Sequence, residues 1–140
     1  MSPRIALLPA ILVALSISLA ACDARVREIR SSLGPEELRT FDRGRQLAAP
    51  CWTCHDLYTE TNKVGPHLVG LFGRRIGAVP GFYYSEAFRA KDLVWTPETV
   101  RAYLGDVRGF IPGTTMVSPG VGSREEVDAV VYYLGLVTRP

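Results

Sequence analysis

Apolar residues along the chain form one uncharged run near the N-terminus and several short stripes at helical spacing. The run extends from Ile5 to Ala21. Near the C-terminus the apolar positions recur about every three or four residues, which predicts an amphipathic helix; they are Val127, Val130, Val131 and Leu134. No stretch alternates between apolar and polar residues as a half-buried strand would. The pattern predicts a mostly α-helical chain with roughly three to five short helices.

Three sequence signals mark where helices begin. Pro35 followed by two glutamates is typical of an opening turn, because proline fits the first helical position and acids favour the N-terminal dipole. Thr96 before Pro97 predicts a second helix with threonine as its cap. Ser123 with Glu126 forms a capping-box pattern before the C-terminal stripe. We therefore expect helices to start at these three places.

The predicted helices are separated by two long segments rich in glycine and proline, residues 61–84 and 105–122. Neither segment has a sustained helical or strand period. Long loops are uncommon in a small domain unless they have a function such as enclosing a ligand. The loops therefore indicate a domain wrapped around a bound group.

The N-terminal run has the order of a secretory signal: Arg4, then an apolar stretch, then small residues. Cys22 directly follows Leu19-Ala20-Ala21, which resembles the bacterial lipobox, where cleavage leaves a lipidated cysteine. We therefore divide the chain into a signal peptide (1–21), a short polar tether (22–34) and one folded domain (35–140).

Two alternatives to lipidation at Cys22 remain open. The run could end in an ordinary cleavage site and release a soluble periplasmic protein. It could also remain as an uncleaved anchor, although its length is at the short limit for a membrane span and it contains Pro9. All three hypotheses export the domain, and two of them attach it to the periplasmic side of a bacterial membrane.

Charge and cysteine content exclude several classes of protein. The chain has 16 basic and 14 acidic residues, a formal net charge of +2, which argues against a nucleic-acid partner because such proteins need a basic face. Three cysteines are too few for a disulfide framework. Their positions, one at 22 and two at 51 and 54, indicate two separate roles.

The sequence from Cys51 through Cys54 to His55 is the Cys-x-x-Cys-His attachment signature of c-type haem. At this spacing both thiols reach the vinyl groups of one porphyrin, and the histidine that follows reaches the iron. A redox Cys-x-x-Cys pair would be expected beside a βαβ pattern, which is missing here. A zinc site would need more ligands, and His67 is the only other histidine. We predict one covalent haem c.

Met116 is the only methionine besides Met1 and lies in the Gly/Pro-rich loop that contains Ile111-Pro112-Gly113. A lone methionine is often a flexible filler of the core. Its place in this loop, rather than on an apolar helix face, favours a ligand of the haem iron. A thioether in the second axial position raises the reduction potential. With both axial positions filled, the site would carry electrons rather than bind gas or peroxide.

With these motifs the chain resembles the class I cytochromes c, in the branch shared by mitochondrial and alphaproteobacterial carriers. The resemblance runs from about Phe41 to Leu134 and is specific in three blocks, residues 51–55, 65–74 and 111–116. It implies a small, mostly α-helical single domain of three to five helices around one covalent haem, with His55 and Met116 as axial ligands.

The resemblance also implies roles for other residues of the haem pocket. The Pro66 carbonyl would accept the second ring N–H of His55 and fix its orientation. The remaining implied positions hydrogen-bond the buried propionate (Arg74, Tyr84, Trp95), lie on the methionine side of the haem (Tyr103, Thr114), or pack where the first and last helices cross (Gly44 against Tyr133 and Leu134).

Two departures from the family pattern bear on function. Phe88 occupies a position where mitochondrial members have a buried asparagine, so the polar network there should differ. The ring of exposed lysines is largely missing, since Lys63 and Lys91 are the only lysines of the chain. Partner recognition should therefore depend less on long-range electrostatic steering.

We expect an electron carrier, not an enzyme, that moves single electrons between donor and acceptor redox proteins at a bacterial membrane. A second hypothesis makes it a fixed subunit of a respiratory or photosynthetic membrane complex. A peroxide- or gas-reactive haem enzyme would require Met116 to leave the iron. A zinc-binding interaction module would require that no haem is attached.

Overall fold

The computed structural model describes residues 24–140. Residues 24–32, in the segment predicted as a tether, form a helix, and Gly34–Pro140 is a separate compact unit. Cys22 and the predicted signal peptide lie outside the described residues. No helix within residues 24–140 combines the length and the apolar character that a membrane span requires.

The unit from Gly34 to Pro140 is built of helices and loops, as predicted, and residues 24–140 contain no β-strand. Its helices are α1 (Pro35–Leu47), α2 (Glu86–Arg89), α3 (Pro97–Gly105), α4 (Val107–Phe110) and α5 (Arg124–Val137), with a 3-10 turn at Ala49–Thr53. The mostly α-helical prediction is confirmed.

The three predicted helix starts are confirmed, and side chains cap two of them. The Thr96 hydroxyl accepts from the Thr99 amide at 3.2 Å. The Ser123 hydroxyl accepts from the Glu126 amide at 3.3 Å, and the Glu126 carboxylate accepts from the Ser123 amide at 2.9 Å. These bonds satisfy amides that have no partner within the helix itself.

The two short helices α2 and α4 were not predicted. Helix α4 lies in the segment 105–122 that the sequence pattern indicated as loop. Its cap is Asp106, whose carboxylate accepts from the Gly109 amide at 2.8 Å. A single helical turn is too short for an apolar period to appear, so its signal was this one capping residue.

Helices α1 and α5 pack against each other at Gly44, which is buried. A Cβ on Gly44 would lie 2.0 Å from the Ala129 carbonyl oxygen and 2.7 Å from Tyr133 Cβ. Tyr133 packs against Gly44 as predicted, Ala129 contacts it as well, and Leu134 lines the cavity described below. Ala129 and Tyr133 are four residues apart, so they lie on the same face of α5, one turn from each other. This face of α5 contacts α1.

The long loop 61–84 is tied to the segment before α3 by backbone hydrogen bonds. The Gly73 amide donates to the Trp95 carbonyl and the Trp95 amide to the Arg74 carbonyl, both at 2.9 Å. Ile76 donates to Leu93 at 2.8 Å. The loop is therefore ordered by pairing with a distant segment, which leaves its inner side facing one cavity.

Candidate functional site

One cavity of about 260 Å³ gathers most of the predicted site residues. Its walls come from the 3-10 turn, the loop 61–84, helices α3 and α5, and the loop between α4 and α5. The predicted residues that line it are Cys51, Cys54, His55, Pro66, Arg74, Tyr84, Trp95, Tyr103 and Met116. Most of the remaining lining residues are apolar, so the cavity suits a large apolar ring with a few polar contacts.

The 3-10 turn brings both thiols to the cavity wall. The amides of Cys54 and His55 donate to the Cys51 carbonyl at 3.2 and 2.9 Å, which folds the motif into a tight turn. Both cysteine side chains are half-buried. Burial raises the pKa of the Cys51 thiol.

The His55 ring is held in one orientation from two sides. Its Nδ1 lies 2.6 Å from the Pro66 carbonyl oxygen, and because a carbonyl only accepts, Nδ1 carries the proton. Burial lowers the pKa of His55, which keeps the ring neutral and leaves Nε2 with a lone pair. A Cβ on Gly65 would lie 2.4 Å from the ring carbon Cε1, so only glycine allows this approach.

Met116 is held by the side chain of Tyr103. The Tyr103 hydroxyl donates to Met116 Sδ at 3.1 Å and lies 3.2 Å from Thr114 Oγ1. Burial raises the pKa of Tyr103, so the hydroxyl keeps its proton and can donate. Thr114 Oγ1 also accepts from the Met116 amide at 3.2 Å. Thr114 therefore contacts Tyr103 and Met116, and these two residues line the cavity.

Arg74 supplies a cation at the cavity wall. Its guanidinium donates to the carbonyls of Val69 at 2.7 Å and His67 at 3.1 Å, which fixes its position. Tyr84 and Trp95, both buried, line the same cavity. Burial raises the pKa of the Tyr84 hydroxyl, which therefore remains a donor. This group of donors suits an anionic substituent of a bound ring.

The donor set fits haem c. Two thiols, a neutral imidazole with a free nitrogen, and a thioether all reach one largely apolar cavity that has a cation on its wall. These are the groups that c-type haem uses for covalent attachment and for axial ligation. Within residues 24–140, no three His, Cys, Asp or Glu side chains cluster in a way that could hold a metal ion directly.

Known proteins that resemble the chain are cytochromes. The chain is 36% identical over 107 residues to cytochrome c2 of Blastochloris viridis, covering 76% of this chain and 84% of that protein. It is 44% identical over 85 residues to cytochrome c2 of Rhodoplanes tepidamans, covering 60% and 79%. No protein-family model matches. The chain belongs to the class I cytochromes c.

The solved structure of cytochrome cH from Methylobacterium extorquens has the same fold, with a TM-score of 0.62 and 35% identity. The match covers 67% of this chain and 95% of that structure. The protein is therefore an electron carrier with one covalent haem c, and not an enzyme. The hypotheses of a zinc module and of a peroxide- or gas-reactive enzyme are set aside.

Phe88 gives this cytochrome an aromatic cluster beside the cavity. Its ring centroid lies 5.5 Å from Tyr84, 5.8 Å from Tyr103 and 6.5 Å from Trp95. Phe88 is buried and lines the cavity with them. The sequence predicted that the polar network at this position would differ. In the structure, aromatic packing by Phe88 takes its place and keeps Tyr84, Tyr103 and Trp95 together.

Asn62 and Lys63, in the loop 61–84, make contacts near His55 that the sequence did not predict. The Asn62 side chain donates to the Pro80 carbonyl at 3.0 Å and accepts from the His67 amide at 3.1 Å, which closes the loop on itself. The Lys63 ammonium donates to the His55 carbonyl at 3.4 Å. Such bonds from a side chain to distant backbone leave no periodic signal in a sequence.

Proposed function

We propose that Cys51 and Cys54 attach the haem by thioether bonds and that His55 and Met116 are its axial ligands. The observation that carries this proposal is that all four side chains line one cavity. The Pro66 carbonyl would fix the imidazole through Nδ1 so that Nε2 faces the iron. The Tyr103 hydroxyl would hold the Met116 sulfur in place.

Two filled axial positions would make the site suited to single-electron transfer. The bound haem supplies an iron that cycles between the ferric and ferrous states. His55 and Met116 would exclude small ligands from that iron, and the apolar wall would exclude most water. Since neither ligand has to move, little reorganisation would accompany the transfer of an electron.

The propionate contacts would come from Arg74, Tyr84 and Trp95. The Arg74 guanidinium is positioned by two backbone carbonyls, so its charge lies at a fixed place on the wall. A buried carboxylate needs a paired cation or several donors to remain ionised. These three residues provide both, beside the aromatic cluster that Phe88 completes.

We further propose that Cys22 is lipidated and tethers the cytochrome to the periplasmic side of a bacterial membrane. Support comes from the sequence alone, since the apolar run ends in Leu19-Ala20-Ala21-Cys22. The donor and acceptor would be redox proteins of the same membrane. A tether raises the effective concentration near such partners, which suits a carrier with two lysines and a net charge of only +2.

The axial ligands are tested with Met116→Ala, using the neighbouring Val117→Ala as a control. Wild type should keep its haem through acid-acetone extraction and show the near-infrared band of sulfur bound to ferric iron. Met116→Ala should lose that band, bind carbon monoxide and have a lower reduction potential. Val117→Ala should keep the band, fail to bind carbon monoxide and have the wild-type potential. Rapid binding of carbon monoxide by the wild type at neutral pH would refute His/Met ligation.

The anchor is tested by fractionating cells that express wild type or Cys22→Ala. Wild type should stay with membranes in high salt and come off with detergent. Cys22→Ala should become soluble with an unchanged haem spectrum, because the haem residues all lie after Gly34. If Cys22→Ala remains in membranes at its precursor mass, the apolar run is an uncleaved anchor, and the lipid proposal is wrong.

A further inference from the structure

An ion pair lies directly behind the haem-attachment turn. Lys63 Nζ is 3.7 Å from Asp56 Oδ2. The same ammonium donates to the carbonyl oxygens of Trp52 at 3.3 Å and His55 at 3.4 Å, both within the Cys-x-x-Cys-His segment. A full positive charge therefore contacts the backbone of the proposed proximal ligand.

Asp56 is fixed in the same loop by its own hydrogen bonds. Its Oδ1 accepts from the amides of Tyr58 at 2.9 Å and Thr59 at 2.7 Å, which leaves Oδ2 for the lysine. The side chain of Asp56 is 19% exposed and that of Lys63 is 40% exposed. Water screens such partly buried charges less than it screens charges on the open surface.

We propose that Lys63 and Asp56 are an opposed charge pair whose two charges shift the reduction potential of the haem in opposite directions. This inference rests on the proposed function, because it takes His55 as the proximal ligand. When a donor protein passes one electron to ferric iron, the positive charge of the site falls by one. A nearby cation favours that change and raises the potential, whereas a nearby anion opposes it and lowers the potential.

In the wild type the two charges act in opposite directions, so removing either one leaves the other uncompensated. Lys63→Gln leaves the Asp56 carboxylate alone and should lower the potential, while the side chain keeps a neutral N–H donor. Asp56→Asn leaves the Lys63 ammonium alone and should raise the potential, while its Oδ1 can still accept from the loop amides. The double variant should return close to the wild-type potential.

The experiment is an equilibrium redox titration of the haem-loaded protein for the wild type, both single variants and the double variant. Lys91→Gln is the matched control, because Lys91 is the only other lysine and lies near the Phe110 ring instead. It should shift the potential less than Lys63→Gln does. Raising the salt concentration should reduce the shifts of both single variants, because ions screen the charges.

The sign of the two shifts decides the proposal. If the two single variants merely loosened the loop, both would shift the potential in the same direction as each other. That result would overturn the proposal. Shifts no larger than that of Lys91→Gln would overturn it as well. Failure of the proposed function is seen separately, in a wild-type spectrum that lacks the signature of methionine bound to iron.

Discussion

Gly44 is where helices α1 and α5 come closest, and Gly44→Ala should destabilise the cytochrome. The added Cβ would lie 2.0 Å from the carbonyl oxygen and 2.7 Å from the carbonyl carbon of Ala129, and 2.7 Å from Tyr133 Cβ. None of these atoms belongs to a flexible side-chain end. The helices must therefore move apart along the contact, which includes the fully buried rings of Phe41 and Tyr133.

The size of the loss follows from two opposing effects. Forcing an extra carbon into a packed core costs about 1–3 kcal/mol, and we expect about 3 kcal/mol here because backbone atoms resist the shift. Alanine is favoured over glycine inside a helix by about 1 kcal/mol. The net loss is about 2 kcal/mol, which corresponds to a thermal midpoint lower by about 8 °C in a domain of this size.

Thermal unfolding followed by far-ultraviolet circular dichroism measures this loss, with Gly105→Ala as the matched control. Gly105 also lies in a helix, but a Cβ there would meet nothing within 4 Å, and its φ is outside the left-handed region. Gly105→Ala should leave the midpoint unchanged or raise it by a few degrees, about 0.4–1 kcal/mol. If Gly44→Ala is no less stable than Gly105→Ala, close packing of α1 on α5 does not hold the fold together.

Three further substitutions test contacts around the cavity. Gly65→Ala should push the His55 ring aside, and the visible spectrum of the holoprotein should report a fraction of high-spin haem that Gly105→Ala lacks. Tyr103→Phe removes the hydroxyl that donates to Met116 Sδ, so the sulfur becomes a stronger donor and redox titration should give a lower potential. Thr96→Ala removes the cap of α3 and should cost about 1 kcal/mol in urea unfolding, with an unchanged haem spectrum.

Features that depend on a few neighbouring residues were predictable from the sequence. The Cys-x-x-Cys-His segment, the start of α1 at Pro35 and the capped starts at Thr96 and Ser123 follow from local chemistry. Helix α4 was not predicted because a single turn has no apolar period. Its one signal in the sequence is the capping residue Asp106.

Contacts between distant segments could be predicted only through the family resemblance, and then incompletely. The resemblance gave the Pro66 carbonyl as the partner of His55, and Gly44 as the contact between the first and last helices. It did not name Ala129, whose carbonyl lies against Gly44. Which residue of α5 meets Gly44 depends on the rotation and slide of two packed helices, and the apolar stripe of α5 allows several registers.

The sequence by itself determined that this is a mostly helical haem protein, because attachment spacing, helix caps and apolar periods are local properties of the chain. Only the tertiary structure decided that the Tyr103 hydroxyl donates to Met116 and that Lys63 lies against both Asp56 and the His55 carbonyl. The physical reason is that each of these contacts involves a loop without a period. Their paths are fixed by long-range pairing, such as that of Arg74 with Trp95, and not by the preferences of their own residues.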